Sequence, residues 1–328
     1  MEKQVIKTGK FSAEYFVTDI ENGSEEVKEI SVVVASYNPK WDKMQRTLDS
    51  IIEQKNIDIE IVITDDGSLN SMYNQVVKYL TDHGVENFVY VSHESNSGTT
   101  INIRDGVSVA KGKYIKIISP GDALATDLTL RKWCDYLHES GRKWSVSNYK
   151  CFVPTDTGIK FETHSAYPNI IDCYMNGDDV ACRRNYLVFE DLACGAATLI
   201  EREFALAYLN KLVGIAKLAE DHMYRLMVLD GFIASFYPED CVLYEWGEGV
   251  STQTDSPYTR QLLQDYNKVD ELIYNLVRTE DLLYKQIRKT YRRKQKLPYN
   301  MWIFARLFNK GYLKYWIQLH REDRMTKQ

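Results

Sequence analysis

The chain has 328 residues, 44% hydrophobic and 27% charged, a composition that excludes a disordered, collagen-like or disulfide-scaffold protein. That length suits one large domain or a domain with an appendage, because single cores stop growing at roughly 250–300 residues. The formal net charge of −5 hides a polarity: residues 285–328 hold thirteen Lys or Arg against Glu322 and Asp323, a formal +11, which leaves −16 for residues 1–284.

Cys134, Cys151, Cys173, Cys182, Cys194 and Cys241 form no C-x-x-C and have no histidine at zinc-finger spacing, so reduced thiols in a cytoplasm are expected. The opening MEKQVIKTGK lacks the apolar segment of a secretory signal, and no run reaches the ~18 apolar residues of a bilayer span.

From residue 30 short apolar runs alternate with amphipathic stretches, the pattern of β-α-β units feeding a mostly parallel sheet. The strands are predicted at 30–35 (ISVVVA), 59–64 (IEIVIT), 87–92 (NFVYVS) and 113–118 (KYIKII). Between them Met44, Leu48, Ile51 and Ile52, then Met72, Val76, Val77 and Leu80, fall at helical spacing, so each connector lays one apolar stripe on the sheet. Residues 145–200 are turn-rich before the run ATLI, and a second, smaller layer is expected there. A helix is predicted to begin near Glu220 and end at Gly231, followed by a strand around FIASFY and the loop WGEGVST. The domain plan is an N-terminal extension over 1–28, an α/β catalytic domain over 29–256 and a C-terminal helical region over 257–328.

An open α/β sheet binds ligands beyond the carboxyl ends of its strands. There the chain reads SYN (36–38), TDDGS (64–68), HESNSG (93–98) and SPGD (119–122). Neither G-x-G-x-x-G nor a P-loop follows the first strand, so a dinucleotide or P-loop site lacks its phosphate cradle. Asp65 and Asp66 suit donor edges such as a base imide or ribose hydroxyls; read alone, D-D-G-S favours a tight turn.

In the order VVVASYN, IVITDDGS, SNSG with Arg104-Asp105, AKGKYIKIISPGD and LAEDHMYRL, the chain resembles glycosyltransferase family 2, the inverting enzymes of the GT-A fold. The resemblance covers roughly residues 30–250. It implies that Ser36, Tyr37, Asn38 and Gly98 line the donor pocket with Ser119, that Asp66 with Asp65 beside it holds base or ribose, and that Arg104 offsets diphosphate charge; otherwise Arg104 is a surface helix charge. Where the family commonly has D-x-D-D, this chain keeps only Asp122, so Asp122 is the implied ligand of Mn2+ or Mg2+, shared with phosphate and water, or else a turn aspartate.

The resemblance makes Asp221 the general base that deprotonates the acceptor hydroxyl, with Glu220 orienting substrate or base; on residues alone both acids suit the first turn of a helix. His222, Tyr244, Trp246 and Thr252 are implied on the acceptor side or in a loop closing over the donor, and each is otherwise a surface or core residue. The implied activity moves a sugar from a nucleotide-diphospho-sugar, a UDP-sugar foremost, to a glycan, lipid-linked or protein-linked acceptor in surface polysaccharide biosynthesis. Two other readings stand beside it: a catalytically inactive GT-A module that binds nucleotide sugar or a partner, and another nucleotide-handling α/β transferase.

After Lys285 the chain is first basic and then apolar-aromatic, from Met301 to Ile317. A non-spanning element of that kind suits an anionic membrane surface, placing the protein at the cytoplasmic face. A helix packed on the catalytic domain and a homo-oligomer contact are the competing uses. Nucleic acid is not an expected partner, because the first 284 residues are acidic.

Overall fold

Parallel strands covered on both faces need apolar side chains at every position rather than at alternate ones, and the predicted strands have them. The computed structural model describes residues 2–8, 11–17, 28–155, 158–162, 168–247, 257–297 and scattered positions between 301 and 317. The first half runs β1 (Glu2–Thr8), β2 (Phe11–Val17), β3 (Ile30–Ser36), α1 (Trp41–Ile52), β4 (Ile59–Asp65), α2 (Tyr73–Asp82), β5 (Phe88–His93), α3 (Thr99–Val109), β6 (Tyr114–Ile118), β7 (Ala123–Leu124) and α4 (Thr129–Ser140). The second runs β8 (Trp144–Thr155), β9 (Gly158–Glu162), α5 (Asp172–Met175), α6 (Asp179–Val188), β10 (Thr198–Glu201), α7 (Arg202–Leu212), α8 (Met223–Leu229), β11 (Ser235–Glu245), α9 (Pro257–Leu276) and α10 (Tyr284–Lys296).

Among the described residues all the strands form one sheet in the order β1-β2-β5-β4-β3-β6-β10-β8-β11-β7, with β9 on β8. The central β5-β4-β3-β6 portion is parallel; β10 enters antiparallel to both β6 and β8. Side chains alternate across this sheet. Val33, Val62 and Val89 point to one core with Ile103 and Val107 of α3, while Val32, Val34, Ile61 and Ile63 point to the other with Met44, Leu48, Val76 and Leu80 of α1 and α2.

Three expectations change. β1 and β2, placed in an N-terminal extension, pair antiparallel with each other, and β2 pairs antiparallel with β5 and prolongs the sheet. The separate layer expected over 145–200 is not separate: β8 and β10 sit inside the same sheet. The strand expected around FIASFY begins at Ser235 and continues to Glu245, because pairing with β8 supplies backbone partners far beyond the apolar run. Among the described residues no helix is long and apolar enough to cross a membrane, and all six cysteines are free thiols.

Candidate functional site

The parallel register sets Ser36 opposite Asp65 at the carboxyl edge of the sheet, so the polar residues that follow β3 and β4 are brought together by strand pairing alone. The Ser36 hydroxyl donates to the Thr64 carbonyl at 2.8 Å, and the Ser36 carbonyl accepts the Asp66 amide at 3.0 Å. Asn38 sits at φ 47, an unusual conformation that asparagine tolerates. Its amide donates to Ser68 Oγ at 2.7 Å and its side-chain oxygen accepts the Leu69 amide at 2.9 Å, locking the two loops to each other. Tyr37 stands at the rim, 40% exposed.

Asp65 and Asp66 are both buried, and their oxygens are largely used within the protein. Asp65 accepts from the Ser68 amide at 2.9 Å and the Tyr90 hydroxyl at 3.3 Å. Asp66 Oδ1 accepts from the Ser97 amide at 2.8 Å and the Ser97 hydroxyl at 2.9 Å and lies 3.1 Å from His93 Nδ1, while Oδ2 accepts from the Gly98 amide at 2.8 Å. A carboxylate has about four lone-pair sites, so Asp66 acts here as the knot of the 93–98 loop rather than as an open acceptor for base or ribose. Burial opposes its charge, but His93 and the N–H groups of Ser97 and Gly98 outweigh that and hold the carboxyl below its ordinary range.

His93 is a residue that motif reasoning passed over. Its Nε2 lies 3.2 Å from Asp105 Oδ2, so the imidazole is clamped between two buried carboxylates. Burial would lower its pKa; Asp105 and Asp66 overcome this and raise it to about 9. Asp105 in turn holds Arg104 Nε at 2.8 Å, leaving the guanidinium partly exposed. The only sequence signal for His93 was its place at the end of β5.

Gly98 opens α3 at φ 96, and a Cβ there would lie 2.3 Å from Lys217 Cγ and 2.6 Å from the Lys217 carbonyl. That carbonyl accepts the Thr100 amide at 3.1 Å. The loop that ends at Gly98 is therefore seated directly on the segment leading into Glu220 and Asp221. Those two acids lie in a 3-10 turn, Glu220–His222, that feeds α8. Both are half-buried. Burial raises Asp221 to about 6 against the opposing charge of Arg225; Glu220 is raised further, by burial and by Asp221 beside it. Gly195 lies against Asp221, where a Cβ would come within 3.1 Å of the aspartate Cβ. His222 is turned inward and buried, its ring stacked on Tyr266 at 4.6 Å with Nδ1 3.2 Å from Arg225. It is thus not an exposed helix residue, and burial and Arg225 hold its pKa well below the usual value.

Asp122 is buried; its Oδ1 accepts the Glu245 amide at 2.9 Å, and burial raises its pKa to about 7. The Glu245 carboxylate lies over Gly121, where a Cβ would meet its Oε2 at 2.3 Å, and it is held by Lys43 at 2.8 Å and Arg46 at 2.9 Å. Beneath, the fully buried Lys116 donates to the carbonyls of Ile117 and Ala196 at 2.5 and 2.6 Å. Lys116, Lys43, Arg46 and Glu245 were not singled out from the sequence. Among the described residues no three His, Cys, Asp or Glu side chains converge as a metal ligand set, and the second carboxylate at this turn already carries two protein cations. These residues do not fit a preformed Mn2+ or Mg2+ centre.

Ser119 is exposed, and its carbonyl accepts from the Asp122 amide. Trp246 is 37% exposed just beyond β11, with Tyr244 half-buried beside it. Thr252 lies outside the described residues. The half-buried Cys194 thiol is pushed up by burial and feels the charges of both Asp122 and Asp221.

Residues 31–167 match the family model Glycosyl transferase family 2. Over that stretch the chain is similar to glycosyltransferase family 2. Among curated relatives, Uncharacterized glycosyltransferase YibD of Escherichia coli strain K12 is 28% identical over 39% of the chain and 38% of its own length. Glycosyltransferase GlyG of Streptococcus pneumoniae serotype 4 is 28% identical over 40% of the chain and 42% of its own length. The matched stretch is thus about two fifths of these relatives. Succinoglycan biosynthesis protein ExoO of Rhizobium meliloti is 25% identical over 38% of the chain and 34% of its length.

The fold is GT-A. S. aureus TarS 1-349 in complex with UDP-GlcNAc superposes with a TM-score of 0.55 at 17% identity, over 81% of this chain and 72% of that one. Mannosyltransferase PcManGT from Pyrobaculum calidifontis, in complex with GDP-Man and Mn2+, gives 0.50 at 13% identity over 89% and 84%.

Proposed function

We propose that the chain is an inverting glycosyltransferase that moves a sugar from a UDP-sugar to a hydroxyl of a glycan or glycoconjugate acceptor in surface polysaccharide biosynthesis. The observation that carries this reading is the half-buried Glu220–Asp221 turn, seated through Lys217 on Gly98 at the donor-side edge of the sheet. In that arrangement the Asp221 carboxylate takes the proton of the acceptor hydroxyl as its oxygen bonds to the anomeric carbon. The carbon–oxygen bond to the diphosphate breaks on the opposite face, and the nucleoside diphosphate leaves with the electron pair. A base of this kind is typically worth 10²–10⁴-fold in rate. Burial that raises Asp221 to about 6 makes its carboxylate a better proton acceptor while keeping it ionised at neutral pH.

The protein's own contribution on the donor side is order: Asp66, Asn38 and His93 fix the loops after β3, β4 and β5 to one another at the carboxyl edge of the sheet, where Ser36, Tyr37 and Gly98 lie. ExoO, a relative over part of the chain, carries a succinoglycan biosynthesis name, and TarS is solved with UDP-GlcNAc; these support the polysaccharide and UDP-sugar parts of the proposal. Measuring nucleotide release from UDP-, GDP- and dTDP-sugars, with glycan and lipid-linked acceptors, tests it: selective release from a UDP-sugar is expected, and binding of the donor with no turnover on any acceptor would favour an inactive nucleotide-sugar-binding module. The ion-paired Glu245 at the acidic turn is the observation that keeps that second reading in play.

The C-terminal element is proposed to rest on an anionic membrane surface at the cytoplasmic face. Phe304, Leu313, Trp316 and Ile317 are exposed, whereas Tyr312 is buried with its ring 5.6 Å from that of Phe189.

A further inference from the structure

Helix α9 grips the turn that bears Glu220 and Asp221 at three places; both elements lie outside the matched family segment. Before the turn, Asp265 Oδ2 accepts the amides of Lys217 at 2.8 Å and Leu218 at 2.6 Å; Asp265 is fully buried and its other oxygen accepts from Gln261 at 2.8 Å. At the turn, the Tyr266 ring stacks on His222. After it, Asp270 Oδ1 pairs with Arg225 at 2.8 Å. Asp270 Oδ2 is 2.7 Å from Lys294 Nζ of α10, which is also 2.7 Å from Glu190, and Glu190 lies 3.9 Å from Arg225. Two cations and two carboxylates thus close a buried, charge-balanced cluster.

We propose that α9 and Lys294 are working parts of the catalytic centre: Asp265, Tyr266 and Asp270 are positioning residues for Glu220–Asp221, and the Arg225–Asp270–Lys294–Glu190 cluster sets the charge that Asp221 faces. The inference rests on reading Asp221 as the base. The titratable groups that interact electrostatically with Asp221 are Glu220 in its own turn, Tyr224 and Arg225 from α8, Tyr186 from α6, Cys194 from the preceding loop and Tyr266 from α9. Of these only Arg225 is a cation, and it opposes the rise that burial imposes. His222, held neutral, adds no charge. Removing one member therefore leaves a net charge beside Asp221, positive if an acid is lost and negative if a cation is lost, and a nearby charge moves a carboxyl pKa by its sign.

The test is the pH profile of kcat in the full chain. Asp270→Asn leaves the cluster one charge positive and should move the acid limb down by about half a pH unit; Lys294→Met should move it up by a similar amount, and Lys294→Arg should restore the wild-type limb. Each variant leaves the remaining three charges with a partner, and if Asp270→Asn fails to fold, the two Lys294 variants carry the comparison. A merely structural role lowers melting temperature or kcat without moving the limbs in opposite directions, and that result, or displacement of both in one direction, overturns the proposal. A 13C titration of the Asp221 carboxyl, assigned by difference against Asp221→Asn, reads the same displacement without turnover. If the titration moves while the kcat limb does not, the base assignment fails and the charge coupling stands; if the titration does not move, the coupling itself is wrong.

Discussion

His93 Nδ1 lies 3.1 Å from Asp66 Oδ1, and on its other side Nε2 faces Asp105. An imidazolium between two buried carboxylates ties the end of β5 to the D-D-G-S turn and to α3, so the loop that presents Gly98 is set by an ion triad together with the amides of Ser97 and Gly98 that Asp66 accepts. Because the His93 pKa is raised to about 9 from 6.5, its stabilising contribution is fully present below pH ~6.5 and is lost as pH rises through about 9. The lowered Asp66 acts the other way: its contribution is present above the ordinary aspartate range and lost as pH falls below it.

The wild type should accordingly lose stability between about pH 6.5 and 9, and His93→Gln should flatten that part of the profile. At neutral pH the variant should be less stable by about 3 kcal/mol, since two buried carboxylates lose their shared counter-charge. Urea unfolding at several pH values checks both; a slope that persists in the variant would assign it to other groups.

Asp221→Asn should lower kcat by at least ~10²-fold while leaving donor affinity nearly unchanged, because the amide keeps shape and hydrogen bonding but cannot accept the proton. In the wild type the acid limb should fall near pH 6, turnover rising as Asp221 deprotonates. Equal losses in donor affinity and kcat would make it a binding residue instead.

The central sheet was legible because parallel strands carry continuous apolar runs: Ile30–Ser36 and Ile59–Asp65 extend the predicted strands by a single residue each. The polar residues at their ends were legible as motifs, but their roles were not. Asp66 reads in sequence as a ligand acceptor and in space as a loop knot, since a motif does not reveal which backbone amides converge on it. Glu245 and Lys43, 202 positions apart in sequence, meet at Gly121 only because β11 crosses back to pair with β7. Lys294 reads as one more charge of a basic tail; its burial between Glu190 and Asp270 depends on α10 packing against α6 and α9, which no local pattern encodes.

At the acidic turn, donor affinity should change by less than about twofold on chelation of divalent metal, because Asp122 is a lone carboxylate with one oxygen held by the Glu245 amide, and Glu245 is paired with Lys43 and Arg46. Glu245→Gln should weaken the turn rather than remove a metal, at about 3 kcal/mol in stability for breaking a buried ion cluster. Calorimetric titration of UDP with and without Mn2+ is the measurement. A tenfold gain in affinity with Mn2+ would mean that phosphate and water complete a site the protein alone does not form.

The basic tail cannot be removed as a block from Lys285, because Lys294 balances Glu190 and Asp270, and Ile287 is buried in the core. Truncation after Leu297 keeps those contacts, gives up the Tyr312 ring against Phe189 and removes the aromatic segment from Met301 onward, so it should lower stability somewhat but leave turnover on a soluble acceptor within about twofold while reducing binding to anionic vesicles. Truncation after Tyr284 should instead cost several kcal/mol, as uncompensated buried carboxylates do. For the full chain, salt should weaken vesicle binding without abolishing it: charges more than about 8 Å apart are screened at physiological ionic strength, whereas aromatic burial is not an ionic interaction. Sedimentation with phosphatidylserine vesicles separates the outcomes. Equal binding by the Leu297 truncation would move the contact onto α10, and no binding by the full chain would leave a subunit contact as the use of the exposed aromatic face.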